Sequence, residues 1–120
     1  MNEKPETDLR ERTKAFALRV LRLYCALPRT TEAQVLGKQV LRSGTSVGAH
    51  YREARRGRST AEFVSKIEAG LQELEETMYW LELLVGGGIV AAQRCADLYK
   101  EADELMAILV SSVKTAKKRS

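Results

Sequence analysis

With 120 residues and 44% hydrophobic content, the chain has the size of one domain and enough apolar mass for a single core. Aromatic residues are scarce at 6%, and Leu, Ala, Glu, Lys and Arg dominate, a composition of helices rather than strands. The formal charge of +4 matters only if it is clustered, and no apolar run reaches the ~18 residues of a membrane span.

The start, MNEKPETDLRERTK, has no apolar segment and cannot serve as a signal peptide, so a cytoplasmic location is expected. Residues 1–7 are expected to form a disordered lead and residues 8–118 a single bundle. Pro28, Gly57 and the run Gly86-Gly87-Gly88 break the chain at nearly even intervals. Each of the four segments can form a helix of about 24 residues, roughly 36 Å long. The first is predicted from Asp8, a suitable N-cap, to Leu27. Leu9, Phe16, Val20, Tyr24 and Leu27 share its inner face, with Leu18 and Leu23 widening it. Pro28 ends it by disfavouring helical geometry in the residue before.

Thr31 is the expected N-cap of the second helix, with Glu32 in the first turn where the helix dipole favours an acid. Gly44 and Gly48 weaken that helix by about 1 kcal/mol each relative to alanine. The stripe Val40, Gly44, Val47, Tyr51 and Ala54 nevertheless keeps its phase, which predicts one continuous helix stopped at Gly57. Ser59-Thr60-Ala61-Glu62 then spells a capping box for the third helix.

The inner seam of that third helix is Phe63, Ile67, Gly70, Leu74, Met78 or Thr77, Leu81 and Val85, a heptad pattern suited to shallow bundle crossings. Tyr79, Trp80 and Leu83 lie off the seam, where an oligomer interface would use them and a broad core face would too. The glycine run leads into a fourth helix from about Val90 to Lys117. Its seam is Cys95, Leu98, Ala102, Leu105, Leu109, Ser112 or Val113, and Ala116. Short turns between equal amphipathic helices predict an all-α, antiparallel up-down-up-down four-helix bundle. Cys25 and Cys95 suit neither a zinc site nor a disulfide framework, and both are read as small core hydrophobes.

The charge is indeed clustered. Lys38, Arg42, Arg52, Arg55, Arg56 and Arg58 face the single acid Glu53, whereas Glu62, Glu68, Glu73, Glu75, Glu76 and Glu82 face only Lys66. The tail is basic again, with Lys114, Lys117, Lys118 and Arg119. On a helix, Lys38, Arg42, Thr45, Ala49, Arg52 and Arg56 share one face, opposite in character to the apolar stripe. Arginine on such a face suits phosphate, which its guanidinium binds in bidentate fashion. Without exposed aromatics between the cations there is little to stack on unpaired bases, so affinity for nucleic acid would be electrostatic and weakly selective. Gly44 and Gly48 let another backbone approach, either within one chain or across an oligomer interface. Arg42, Arg52 and Glu53 exclude a hydrocarbon setting for them.

Catalytic chemistry is not apparent. His50 is the single histidine and reads as a structural or surface residue. A carboxylate-bridged metal pair would need Glu-x-x-His on two helices, and neither copy is present. There is no phosphate-cradling glycine loop and no nucleophile motif. The expectation is therefore no catalytic residue, no metal, no cofactor and no enzymatic activity.

Arg42-Ser43-Gly44-Thr45-Ser46-Val47-Gly48-Ala49, Tyr51-Arg52-Glu53-Ala54, Arg58-Ser59, Ala61-Glu62-Phe63, Lys66 and Glu73-x-Glu75-x-Thr77-x-Tyr79-Trp80-Leu81 together carry a resemblance. Over roughly residues 10 to 117 the chain resembles the bacterial four-helix bundle family named for proteins encoded within intervening sequences of 23S ribosomal RNA genes. That resemblance implies an antiparallel bundle assembled into a ring-like homopentamer. The accessory variability determinant proteins of diversity-generating retroelements are similar, and they associate with nucleic acid and a reverse transcriptase.

The sequence thus points to a non-enzymatic oligomer that binds RNA or DNA backbone through Lys38, Arg42, Arg52, Arg55, Arg56 and Arg58. Gly44, Gly48, Tyr79, Trp80 and Leu83 are the candidate oligomer interface. The alternative is a homo-oligomeric scaffold for a protein partner with no nucleic-acid role, its arginines paired with third-helix glutamates.

Overall fold

Local signals set the helix limits. In the computed structural model, which describes residues 5–119 and side chains from Leu9 onward, the elements are α1 (Pro5–Cys25), α2 (Thr31–Arg55), α3 (Thr60–Gly86) and α4 (Ala92–Arg119). Of the lead expected at residues 1–7, residues 1–4 lie outside the described residues, and α1 already includes Pro5, a turn ahead of the expected Asp8. The N-cap of α2 is Thr30 rather than Thr31: its side chain accepts a hydrogen bond from Ala33 N at 3.3 Å. The capping box of α3 forms with a variation. Ser59 Oγ accepts from Glu62 N at 3.1 Å, while Glu62 Oε1 accepts from the Arg58 N–H at 2.9 Å instead of that of Ser59. At the other end of α3, Gly88 has φ +73°, which explains a glycine in that turn.

α2 is unbroken through Gly44 and Gly48 because neighbouring helices use the space those glycines leave. A Cβ at Gly44 would lie 2.7 Å from Val20 Cγ2 of α1, and one at Gly48 would lie 3.1 Å from Thr13 Oγ1. Gly37 is packed as tightly, nearest to Leu27 and then to Tyr24. Packing that recovers buried apolar surface thus offsets the helix-propensity cost. On its other side α2 meets α3, where Ser43 and Thr77 are fully buried with hydroxyl oxygens 2.7 Å apart. Thr77 Oγ1–H donates to Ser43 Oγ, which donates in turn to Gln39 O at 2.9 Å along its own helix. Both buried polar groups are therefore satisfied.

Sequence neighbours are neighbours in space, and α4 closes the ring against α1. The α2–α3 interface is the most extensive and the α1–α4 seam the thinnest, consistent with flattened extents of 48 × 31 × 19 Å. The core comprises Leu9, Phe16, Val20, Leu23, Leu27, Val40, Val47, Tyr51, Ile67, Leu74, Leu81, Leu84, Cys95, Leu98, Ala102, Leu105, Leu109 and Val113 with smaller neighbours. At the two ambiguous positions Thr77 and Val113 are the buried choices. The expectation for α1 needs correction. Its seam steps through Leu9, Thr13, Phe16, Val20, Leu23 and Leu27, which leaves Leu18, Leu21 and Cys25 together on the exposed side. Cys25 is therefore not a core residue, although Cys95 is.

Candidate nucleic-acid interface

The cations predicted to bind phosphate do not act as one stripe. Arg42 Nη1 lies 3.2 Å from Glu73 Oε1 and its Nη2 lies 2.5 Å from Glu76 Oε1, so α3 claims this guanidinium. The hydrogen bond to Glu76 raises its pKa further, and Glu73 adds to the effect. Arg42 is thus corrected from a free phosphate ligand to an α2–α3 clamp. The same seam continues through His50, whose Nδ1 is 3.3 Å from Glu53 Oε1 and whose Nε2 is 3.7 Å from Glu73 Oε2. Lys66 Nζ reaches Glu53 Oε1 at 3.3 Å, and its hydrogen bond, with that of His50, holds the Glu53 carboxyl below the usual carboxylate range. His50 therefore belongs to a surface ion-pair network.

The remaining predicted cations behave differently. Lys38, Arg55, Arg56 and Arg58 are exposed and Arg52 is half-buried, and among the described residues none has a carboxylate within ion-pair distance of its side chain. Lys38 lies far up α2, but Arg52, Arg55, Arg56 and Arg58 crowd the end where α2 hands over to α3. In an up-down-up-down bundle that end also receives the C-terminus of α4. Gly57, Arg58, Ser59, Thr60 and Phe63 line one cavity of about 350 Å³ with Ala116 and Arg119. Lys117 approaches Glu68 of α3 at 3.8 Å, and Lys118 and Arg119 complete the basic turn. Lys38 apart, these cations therefore gather at the end of the bundle rather than along the length of α2. The α4 cations were legible as a basic tail, but only the topology brings them beside Arg58.

Of the candidate interface residues, Gly44 and Gly48 are corrected too: both are buried against α1 within the chain. Tyr79 is 52% exposed, whereas Trp80 and Leu83 are half-buried. The Tyr79 and Trp80 rings lie 5.1 Å apart at 58°, and among the described residues Trp80 Nε1 is buried without a hydrogen-bond partner. Starting from the Arg42–Glu76 contact, seven residues back along α2 reach Val35 and seven forward along α3 reach Leu83. Val35 is 56% exposed, so antiparallel packing places it with Tyr79, Trp80 and Leu83 along one seam.

The described residues hold no group of three or more His, Cys, Asp or Glu suited to a metal ion, and among them no helix is long and apolar enough to cross a membrane. Burial pushes the Cys95 thiol up, away from the reactive thiolate.

No curated protein matches the chain. Among solved structures, the chain is similar to a protein of unknown function from the S23 ribosomal protein family of Bacteroides thetaiotaomicron. The two share 35% identity and a TM-score of 0.86, over 91% of this chain and 97% of that one. The sequence profile of the 23S rRNA-intervening sequence protein family matches residues 6–111, which includes the whole α2–α3 segment with its small residues, capping box and Arg42 clamp. With its fold and nearly its full length accounted for in this way, the chain belongs to the 23S rRNA-intervening sequence protein family.

Proposed function

We propose that this protein is a non-enzymatic, cytoplasmic, self-associating bundle whose basic end binds the phosphate backbone of RNA or DNA. The observation that carries the reading is the convergence of Arg52, Arg55, Arg56 and Arg58 with Lys118 and Arg119 at one end, without carboxylate partners among the described residues. Cations at helix C-termini also stabilise their own helices through the macrodipole, but that needs one or two per helix. Here both α2 and α4 end on several, leaving a surplus of positive charge directed outward. Phe63, the aromatic side chain that lines this cavity, is half-buried against the core, so contact would be chiefly to phosphates rather than bases.

Self-association is supported by the seam of Val35, Tyr79, Trp80 and Leu83, and family resemblance implies a pentamer. In a ring each basic end is repeated about the axis, which multiplies a modest field. The experiment is filter binding of a structured RNA to the R55Q/R56Q/R58Q variant and to R42Q. The triple variant is expected to lose at least tenfold in affinity at moderate salt while R42Q binds like the parent, since Arg42 already serves α3. Equal affinity for parent and triple variant overturns the proposal. It would favour the scaffold reading, to which the exposed Val35 and Tyr79 point.

A further inference from the structure

The thin α1–α4 seam carries charge in two different arrangements. Midway along the bundle from the basic end, Arg12 of α1 is matched: its Nε and Nη2 reach the two carboxylate oxygens of Glu101 at 3.1 and 2.7 Å, and Nη2 also reaches Glu104 at 3.1 Å. At the opposite end the same two helices bring together Arg19, Arg22 and Arg94, which line a cleft of about 230 Å³ floored by Leu23 and Leu98. No acidic residue lines it, and among the described residues none of the three guanidinium groups has a carboxylate within 4 Å. Asp97, one turn along from Arg94, forms no ion pair with it. Three like charges around this cleft repel one another, whereas Arg12 and Arg42 at other helix seams are neutralised by paired glutamates.

We propose that this cleft is an anion site that holds a single phosphate monoester group. Three guanidinium forks match a dianion with three terminal oxygens, whereas a backbone diester offers one charge and two free oxygens. The volume lies below that of pockets that enclose whole drug-sized ligands, and no aromatic residue lines the cleft, so a base or sugar stays outside. The site is independent of the basic end. Arg94 and Arg119 are 25 residues apart on α4, about 37 Å at 1.5 Å per residue, and share no lining residue.

The test is NMR titration of the full chain at constant ionic strength with inorganic phosphate, glucose 6-phosphate and dimethyl phosphate. The expected result is saturable shifts at Arg19, Arg22, Arg94 and their neighbours with the first two probes, and at least tenfold weaker binding of dimethyl phosphate. R19Q/R94Q is expected to lower phosphate affinity at least tenfold, and R55Q/R56Q/R58Q to leave it unchanged. Because among the described residues neither Arg19 nor Arg94 has an ion-pair partner to orphan, the double variant keeps its fold, which its own amide spectrum verifies. An absence of saturation up to about 20 mM phosphate, or full binding in R19Q/R94Q, overturns the proposal. Tight binding of inorganic phosphate without glucose 6-phosphate restricts the ligand to the free ion and overturns the monoester assignment. RNA binding lost in R55Q/R56Q/R58Q while phosphate still binds separates this site from the basic end.

Discussion

A Cβ at position 44 would lie 2.7 Å from Val20 Cγ2, whereas one at position 70 would meet nothing closer than His50 Cβ at 3.7 Å. Val20 is β-branched within a helix and cannot rotate away, so Gly44→Ala is expected to lose about 1–3 kcal/mol to overpacking, more than the ~1 kcal/mol of helix propensity it gains. Gly70→Ala keeps the propensity gain without the clash and is expected to stabilise by up to ~1 kcal/mol. Urea unfolding of the two variants checks both signs. The sequence shows both glycines on buried stripes but not which of them a neighbour needs, because that depends on a residue from another helix. Cys25 teaches the same lesson in reverse. An apolar helical context looked like a core position, yet the phase of the α1 seam turns it outward. A thiol reagent is expected to modify Cys25 rapidly in the folded protein and Cys95 only on unfolding; comparable native rates would contradict this burial pattern.

Between elements, hydrophobic phase was readable and charge pairing was not. Val40, Gly44, Val47, Tyr51 and Ala54 are all buried, as their spacing in a single helix requires. Arg42 sits on the exposed face that the same spacing predicts, but its partners Glu73 and Glu76 come from α3 and only the antiparallel register supplies them. Ser43 and Thr77 form a buried polar link of the same kind. The α2–α3 ion pairs also give a pH dependence. The folded Glu53 pKa is lowered by Lys66 first and His50 second, so its contribution to stability is present above the ordinary carboxylate range and lost as pH falls through the lowered value. Glu53→Gln should therefore lower the melting temperature slightly near neutral pH, and the difference should shrink as the pH falls below the ordinary carboxylate range. A difference that grows on acidification would contradict the pairing.

At the scale of the whole molecule, topology converts separate signals into a site. The cations of α2 and the basic tail of α4 are sixty residues apart in sequence, and an up-down-up-down bundle sets them at one end. The four-helix architecture was legible from evenly spaced breakers and four amphipathic stripes, and each structured segment follows it. The candidate site was half legible: Arg52, Arg55, Arg56 and Arg58 lie at one end as exposed or half-buried cations, Arg42 pairs with α3, Lys38 lies apart along α2, and Lys118 and Arg119 come from α4. The proposed self-association is a matter of particle mass, and if it is pentameric, light scattering should give about five times the 13.4 kDa of one chain.

The most direct measurement is the salt dependence of RNA affinity for the intact protein. Counterion release predicts that log K falls with log salt at a slope of magnitude three or more, and that R55Q/R56Q/R58Q lowers that magnitude by about two to three. A slope near zero, or one unchanged by the triple variant, would contradict phosphate recognition at this end.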